Sequence, residues 1–215
     1  MSGAPSASMT SPEFQEVMGV SHETTQRLES YLALLVEWNR AVGLVSRHSL
    51  EDPWRRHMLD CAQLIKHLNP GQDRPIVDIG SGAGLPGLIL SVLGCPDVHV
   101  IEANGRKVAF LREAARRLAI APAIHAERIE AMAPFPAAIV TARAVAPVDR
   151  LIALARPFLT SDSRCLFLKG QDVAGELTQA EKRWRMRSRR IPSLSDPEGT
   201  VLEIRLPNLD RTPGP

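Results

Sequence analysis

The chain predicts a doubly wound α/β fold, a mostly parallel sheet with helices on both faces, a C-terminal antiparallel strand and a small helical cap in front. Three observations carry this. A strand, a glycine-rich turn and an apolar helix run together over residues 76–93. Strand-like and helix-like segments then alternate to residue 182, the pattern of a covered parallel sheet. Two extended runs, 184–191 and 200–206, flank a Pro/Asp/Gly-rich connection and read as an antiparallel hairpin.

In chain order, residues 1–12 are rich in Ser, Ala, Pro and Gly with little to bury, so 1–20 is expected to be a disordered tail. Ser21 suits the cap of a helix whose Leu28, Tyr31, Leu32, Leu35 and Trp38 share one face. Gly43 falls in the connection that follows. Ser49, Asp52 and Pro53 predict the start of a second helix carrying Trp54, Met58, Cys61, Ile65 and Leu68. Residues 69–75 link this cap (21–70) to the sheet domain (71–215).

The sheet opens with strand Ile76–Ile79, and Gly80, Gly82, Gly84 and Gly87 follow before the helical run 88–93. A backbone that turns sharply under a ligand needs residues without Cβ atoms. Gly82-x-Gly84-x-x-Gly87 matches a dinucleotide fingerprint, so NAD competes for this turn. A pyrophosphate, however, prefers free amides and no neighbouring anion. Asp78 stands at the strand tip, and a carboxylate there suits a cation such as the amino group of S-adenosylmethionine (AdoMet). Asp-x-Gly-x-Gly-x-Gly opens class I AdoMet-dependent methyltransferases. Glu102, at the tip of strand 98–101, suits ribose hydroxyls of either cofactor.

The remaining elements are a helix over 105–118, strands at 123–126 and 138–141, a helix over 148–155, a strand at 165–168 and a helix over 172–182. At 215 residues with 44% hydrophobic and 23% charged residues, the chain forms one ordinary globular core. Cys61, Cys95 and Cys165 are scattered, which argues against a disulfide framework or a zinc site and for a reduced cytoplasmic setting. No apolar run reaches the length of a membrane span, so no membrane partner is expected. The protein is expected to act as a monomer without an obligate protein partner.

Given AdoMet, the sequence narrows the acceptor. Exocyclic-amine transfer calls for an Asn/Asp-Pro-Pro-aromatic motif after the fourth strand, where this chain has Arg143-Ala144-Val145-Ala146-Pro147. Pyrimidine C5 transfer needs a cysteine nucleophile at a sheet tip, and no cysteine is so placed. A basic residue at that tip suits an acceptor with a ready lone pair, such as guanine N7, aligned without a strong general base. Alternatively, Arg143 closes the strand ends by pairing with Glu102 or Asp78.

These motifs resemble the bacterial small-subunit rRNA guanine-N7 methyltransferase G family over about 32–170. The resemblance rests on Trp38-Asn39, Arg56-His57-Met58-Leu59-Asp60, the turn from Asp78 to Gly87, Glu102 with Lys107 and Phe110-Leu111, Arg128-Ile129-Glu130, Arg143-Ala144 and Leu168-Lys169-Gly170. Gly43, where the family has asparagine, and Ala137-Ala138, where it has an aspartate, depart from the pattern. The resemblance implies transfer to a guanosine in the 530 loop of 16S rRNA, free or within the 30S subunit, leaving S-adenosylhomocysteine. It implies cofactor contacts at Gly80, Leu85, Glu102, Ile129, Glu130 and Arg143, beside Asp78, Gly82 and Gly84 from the turn. Arg56, His57, Arg128, Arg143 and Lys169 become candidates for holding rRNA or orienting the base.

Two features carry a plainer alternative. His57 sits among Arg55, Arg56 and Asp60, and Arg56 with Asp60 has the spacing of a helix ion pair. Lys182, Arg183, Arg185, Arg187, Arg189 and Arg190 form a basic run in which Arg185 and Arg187 are candidate phosphate contacts. The same charges also suit an edge strand protected against aggregation.

Overall fold

One sheet of seven strands organises the computed structural model, which describes residues 8–69 and 75–207. The strands are β1 (Ile76–Ile79), β2 (Val98–Ile101), β3 (Ala123–His125), β4 (Ala137–Arg143), β5 (Leu159–Lys169), β6 (Arg187–Pro192) and β7 (Thr200–Arg205). Their order is β3-β2-β1-β4-β5-β7-β6. β1 to β5 are parallel, while β7 runs antiparallel to both β5 and β6. The winding direction reverses between β1 and β4, which opens a crevice above their carboxyl ends.

Side-chain alternation divides the core in two. Ile76, Val98, Val100, Ile139, Leu166, Leu168 and Val201 point to one face, with α2 (His22–Val42), α4 (Gly87–Val92) and α5 (Gly105–Arg117) packed there. Val77, Ile79, Val140, Ala142, Cys165, Phe167 and Leu202 point to the other, beneath α6 (Val148–Ala155) and α7 (Val173–Glu181). Both faces are covered, so the central strands are apolar at successive positions rather than alternating.

The expected disordered tail is corrected over its described part. Ser11–Met18 forms helix α1, opened by a Thr10/Glu13 capping box and closed by Gly19 in the left-handed conformation. Phe14 is fully buried and lies 5.2 Å from the Trp54 ring. The capping box was present in the sequence, but the Ser/Ala/Pro/Gly composition around it masked the signal. Residues 1–7 lie outside the described residues.

α2 begins after Ser21 as its spacing predicts, and Gly43 closes it at φ +66°. Asn39 Oδ1 accepts the amides of Leu44 and Val45 at 2.6 and 2.9 Å, and Trp38 packs edge-on to Phe110, so Trp38-Asn39 serves packing and chain reversal.

The second cap helix is not one regular helix. A π-helical stretch Trp54–Leu59 leads into α3 (Asp60–Ala62) and a 3-10 stretch Gln63–His67. Asp52, rather than Ser49, stabilises its start, accepting from Met9 N at 2.9 Å and Arg55 Nε at 2.8 Å. Of residues 57–64, every one except Asp60 is buried, so this segment has no solvent face for a helical period to reveal. The expected link over 69–75 lies largely outside the described residues.

Three strand boundaries also differ. β4 extends to Arg143, and β5 starts at Leu159, so Cys165 is mid-strand and buried. β6 starts at Arg187 instead of 184. Trp184 is held back by its indole, which is buried and donates to Asp149 Oδ1 at 2.6 Å. Arg185 therefore precedes the strand and does not share its alternation.

Candidate active site

The glycine turn is built from inside. Asp78 is fully buried; its Oδ2 accepts Gly87 N–H and its Oδ1 accepts the Thr141 hydroxyl, both at 3.0 Å. Burial pushes its pKa up to about 6, against the pull of those hydrogen bonds and of Arg143. The sequence reading placed Asp78 against a ligand cation, and this is corrected. With no accessible surface, the carboxylate ties the turn to β4 and to the start of α4.

Gly84 is also structural. It takes φ +82°, and a Cβ there would stand 2.4 Å from Leu88 Cγ. A Cβ on Gly87 would stand 2.5 Å from Val100 Cγ1, so Gly87 lets α4 settle onto the sheet while Gly84 lets the turn close against Leu88 and Leu111. Gly80, Ser81, Gly82, Ala83 and Leu85 remain at the surface of a cavity of about 860 Å³. That volume accommodates a nucleoside cofactor together with part of a second substrate. The cap closes on this turn through Tyr31, whose hydroxyl donates to Ala83 O at 2.7 Å.

Glu102 lies where the sequence predicts, at the end of β2 and on the cavity wall. Its Oε2 accepts Gly82 N–H at 3.0 Å and its Oε1 accepts Asn104 N–H at 2.8 Å, so the carboxylate is oriented before any ligand arrives. β3 ends at His125, and Ile129 and Glu130 belong to a separate 3-10 turn, Ile129–Ala131, with Arg128 extended just before it. They fall outside the cavity lining.

The opposite wall is a network of paired charges around Arg143. Arg143 ends β4 with its side chain 16% exposed. Its Nη1 donates to Arg56 O at 2.9 Å and to Asp60 Oδ2 at 3.2 Å, and its Nη2 lies 3.0 Å from His57 Nδ1. Neither Glu102 nor Asp78 is its partner, contrary to the strand-closing alternative. An arginine can only donate, so His57 Nδ1 accepts and the neutral ring carries its proton on Nε2. Burial first, then the charges of Arg143 and Arg56, push the His57 pKa down to about 3. Ala144, the next residue, holds φ +53°, a left-handed conformation unusual for a residue with a Cβ and a form of strain concentrated at functional sites.

The expected Arg56–Asp60 helix pair does not form. Arg56 Nη1 instead meets Asp196 Oδ2 at 2.7 Å, and Ser195 Oγ donates to Asp60 Oδ1 at 2.7 Å. The turn between β6 and β7 thus supplies Ser195, Asp196 and Gly199 to the cavity wall. Sequence spacing offered no signal for this, since about 140 residues separate these partners. Lys169 also lines the cavity, but its Nζ is engaged by Glu176 Oε2 at 2.6 Å and Ala146 O at 3.0 Å. Arg185 and Arg187 lie away from the cavity. Among the described residues no cluster of His, Cys, Asp and Glu is arranged to hold a metal ion, and no helix is long and apolar enough to cross a membrane.

Comparison with known proteins adds two findings. The chain matches solved methyltransferases in fold: a ribosomal protein L11 methylase from Lactobacillus delbrueckii subsp. bulgaricus (TM-score 0.55, 16% identity, 68% of this chain and 76% of that one). Magnesium protoporphyrin IX methyltransferase from Synechocystis PCC 6803, solved with bound AdoMet, aligns with TM-score 0.51 at 14% identity, over 86% of this chain and 98% of that one. At such identities the likeness speaks for the fold alone, that of class I AdoMet-dependent methyltransferases. In sequence, the chain is 50% identical to "Ribosomal RNA small subunit methyltransferase G" of Rhodospirillum rubrum over 196 residues (91% of this chain, 97% of that one). It is 49% identical to the protein of the same name from Paramagnetospirillum magneticum (87% and 91%). A family model described as rRNA small subunit methyltransferase G matches residues 24–200, and the chain belongs to that family.

Proposed function

We propose that this protein transfers the methyl group of AdoMet to N7 of a guanine in the 530 loop of 16S rRNA, in line and without a strong general base. The observation that carries this reading is the Arg143–His57 pair: a guanidinium locked on the cavity wall beside a neutral imidazole. Guanine N7 offers a lone pair and carries no proton to remove. The residues present fit the cofactor, with Gly80, Gly82 and Leu85 giving close approach and Glu102 holding a pre-oriented carboxylate. When bound, AdoMet supplies an electrophilic sulfonium methyl.

The chain's own residues do the rest. Glu102 accepts hydrogen bonds from ribose hydroxyls. Arg143 spends three N–H groups on Arg56 O, Asp60 and His57. Two of an arginine's five donors then remain for the guanine edge or its phosphate. Asp60 and His57 hold that fork in place, so alignment rather than proton transfer is what the site contributes. Arg56 and Lys169 stand on the wall on which the RNA enters, each held in place by an acid, Asp196 and Glu176. Free 16S rRNA or the 30S subunit, in the cytoplasm, is the acceptor, and the protein acts as a monomer.

Labelled AdoMet incubated with 30S subunits and with free 16S rRNA, followed by mapping of the product, tests this. Label at N7 of a 530-loop guanosine is expected. Label at another atom or another region of the rRNA removes the acceptor assignment.

A further inference from the structure

The basic residues near the C-terminus do not belong to the edge strand alone. β6 and β7 pair with Arg187 opposite Arg205 and Arg189 opposite Glu203, and β7 pairs with β5 through Cys165 opposite Ile204. One step along that ladder, Arg205 comes level with Arg164. Residues level with one another across strands share a face. Arg164, Arg205 and Arg187 therefore form a row across three adjacent strands, and Arg189 lies one pleat above. This is the face that carries the cap. Arg164 Nη1 donates to His67 O at 2.8 Å at the end of the cap's last turn. Glu203 is the acid among these arginines, meeting Arg189 at 2.7 Å and Arg205 at 3.2 Å. The His67 ring registers the local field: burial, then Arg189, lower its pKa, Glu203 opposes, and Arg164 and Lys66 add to the lowering.

Edge protection explains charges on β6, but β7 and β5 are interior strands with no edge to protect. Like charges placed directly opposite one another weaken a sheet, so Arg187 against Arg205 gives the fold nothing. Neighbouring strands stand about 4.8 Å apart and alternate residues about 6.6 Å, so the cations form a grid rather than a point. A grid suits a polyanion better than a small ion. It is also remote: Lys169 lines the cavity, and Arg164 lies five residues back along β5, roughly 17 Å away.

We infer that this arginine corner of β5, β7 and β6 is a second, sequence-independent contact for the sugar-phosphate backbone of the RNA whose target base enters the cavity. The inference rests on an rRNA substrate, and it shifts the RNA surface from Arg185 and Arg187 to Arg187, Arg189 and Arg205 with Arg164 behind them. Arg187 and Arg205 are exposed, whereas Arg164 is nearly buried and positions the row.

The test compares wild type with Arg187→Gln and with the double variant Arg187→Gln/Arg205→Gln, the single exposed change serving as the version least able to disturb folding. Binding of 16S rRNA is measured across a salt series, together with AdoMet affinity and the steady-state constants for methyl transfer. The double variant is expected to flatten the slope of log K against log salt by about 1.4–1.8 and to raise KM for RNA about tenfold. AdoMet affinity and kcat are expected to stay at wild-type values. Unchanged salt slope and KM in both variants overturn the inference. RNA binding is read without turnover, so an inactive wild type defeats the methylation reading while the corner still stands or falls on its salt slope.

Discussion

Arg143 Nη2 lies 3.0 Å from His57 Nδ1, and burial of the ring together with that contact keeps the histidine neutral. With its pKa pushed down from 6.5 to about 3, His57 is neutral throughout the physiological range. His57 is therefore expected to contribute no acid limb near pH 6.5 to the methyl-transfer rate. A limb at that pH that disappears in His57→Gln would mean the histidine titrates during turnover. Stability responds too. Between about pH 6.5 and 3 the unfolded chain binds the His57 proton and the folded chain does not, so this group's contribution is lost as pH falls through that window. His57→Gln is expected to flatten the acid side of the stability curve there, as chemical denaturation at several pH values would show.

Asp60 holds the same guanidinium from the other side, at 3.2 Å, and is itself oriented by Ser195. Asp60→Asn keeps the shape and removes the charge. Transfer, as kcat/KM, is expected to fall on the order of a hundredfold, the usual effect of a misplaced orienting group. AdoMet affinity, read by calorimetry, is expected to fall much less. Parallel losses of both would assign Asp60 to the cofactor instead.

Gly87 admits no side chain. In Gly87→Ala the new methyl meets Val100 Cγ1 at 2.5 Å and Asp78 Oδ2 at 2.9 Å. Overpacking of this kind costs roughly 1–3 kcal/mol, which lowers Tm by about 2–12 °C in a chain of this size. Gly105→Ala, with nothing within 4 Å of its added methyl, is the control and is expected to leave Tm unchanged or slightly raised. A thermal melt of both variants decides.

The N-terminal helix is part of the folded unit. Phe14 is fully buried against Trp54, so Phe14→Ala is expected to cost about 3–5 kcal/mol. A loss under about 1 kcal/mol in urea titration would mean that α1 undocks readily in solution.

By itself the sequence determined the succession of strands and helices from β1 to α7, the glycine turn and Glu102 at the tip of β2. Each is written in a short window, as a period, a breaker or a cap. The Thr10–Glu13 capping box was equally local and was masked by the composition around it. What the sequence could not contain was which distant side chains meet. Asp78 reads as a ligand for a cation and is instead sealed between Thr141 and Gly87. Arg56 and Asp60 read as partners on one helix turn, yet they face Asp196 and Arg143. The basic run near the C-terminus reads as one strand's face, although its row continues through Arg205 to Arg164. Those pairings are set by sheet order and by a cap helix buried on all sides. Both are decided when the chain closes on itself, because only tertiary packing brings side chains from distant segments within reach of one another.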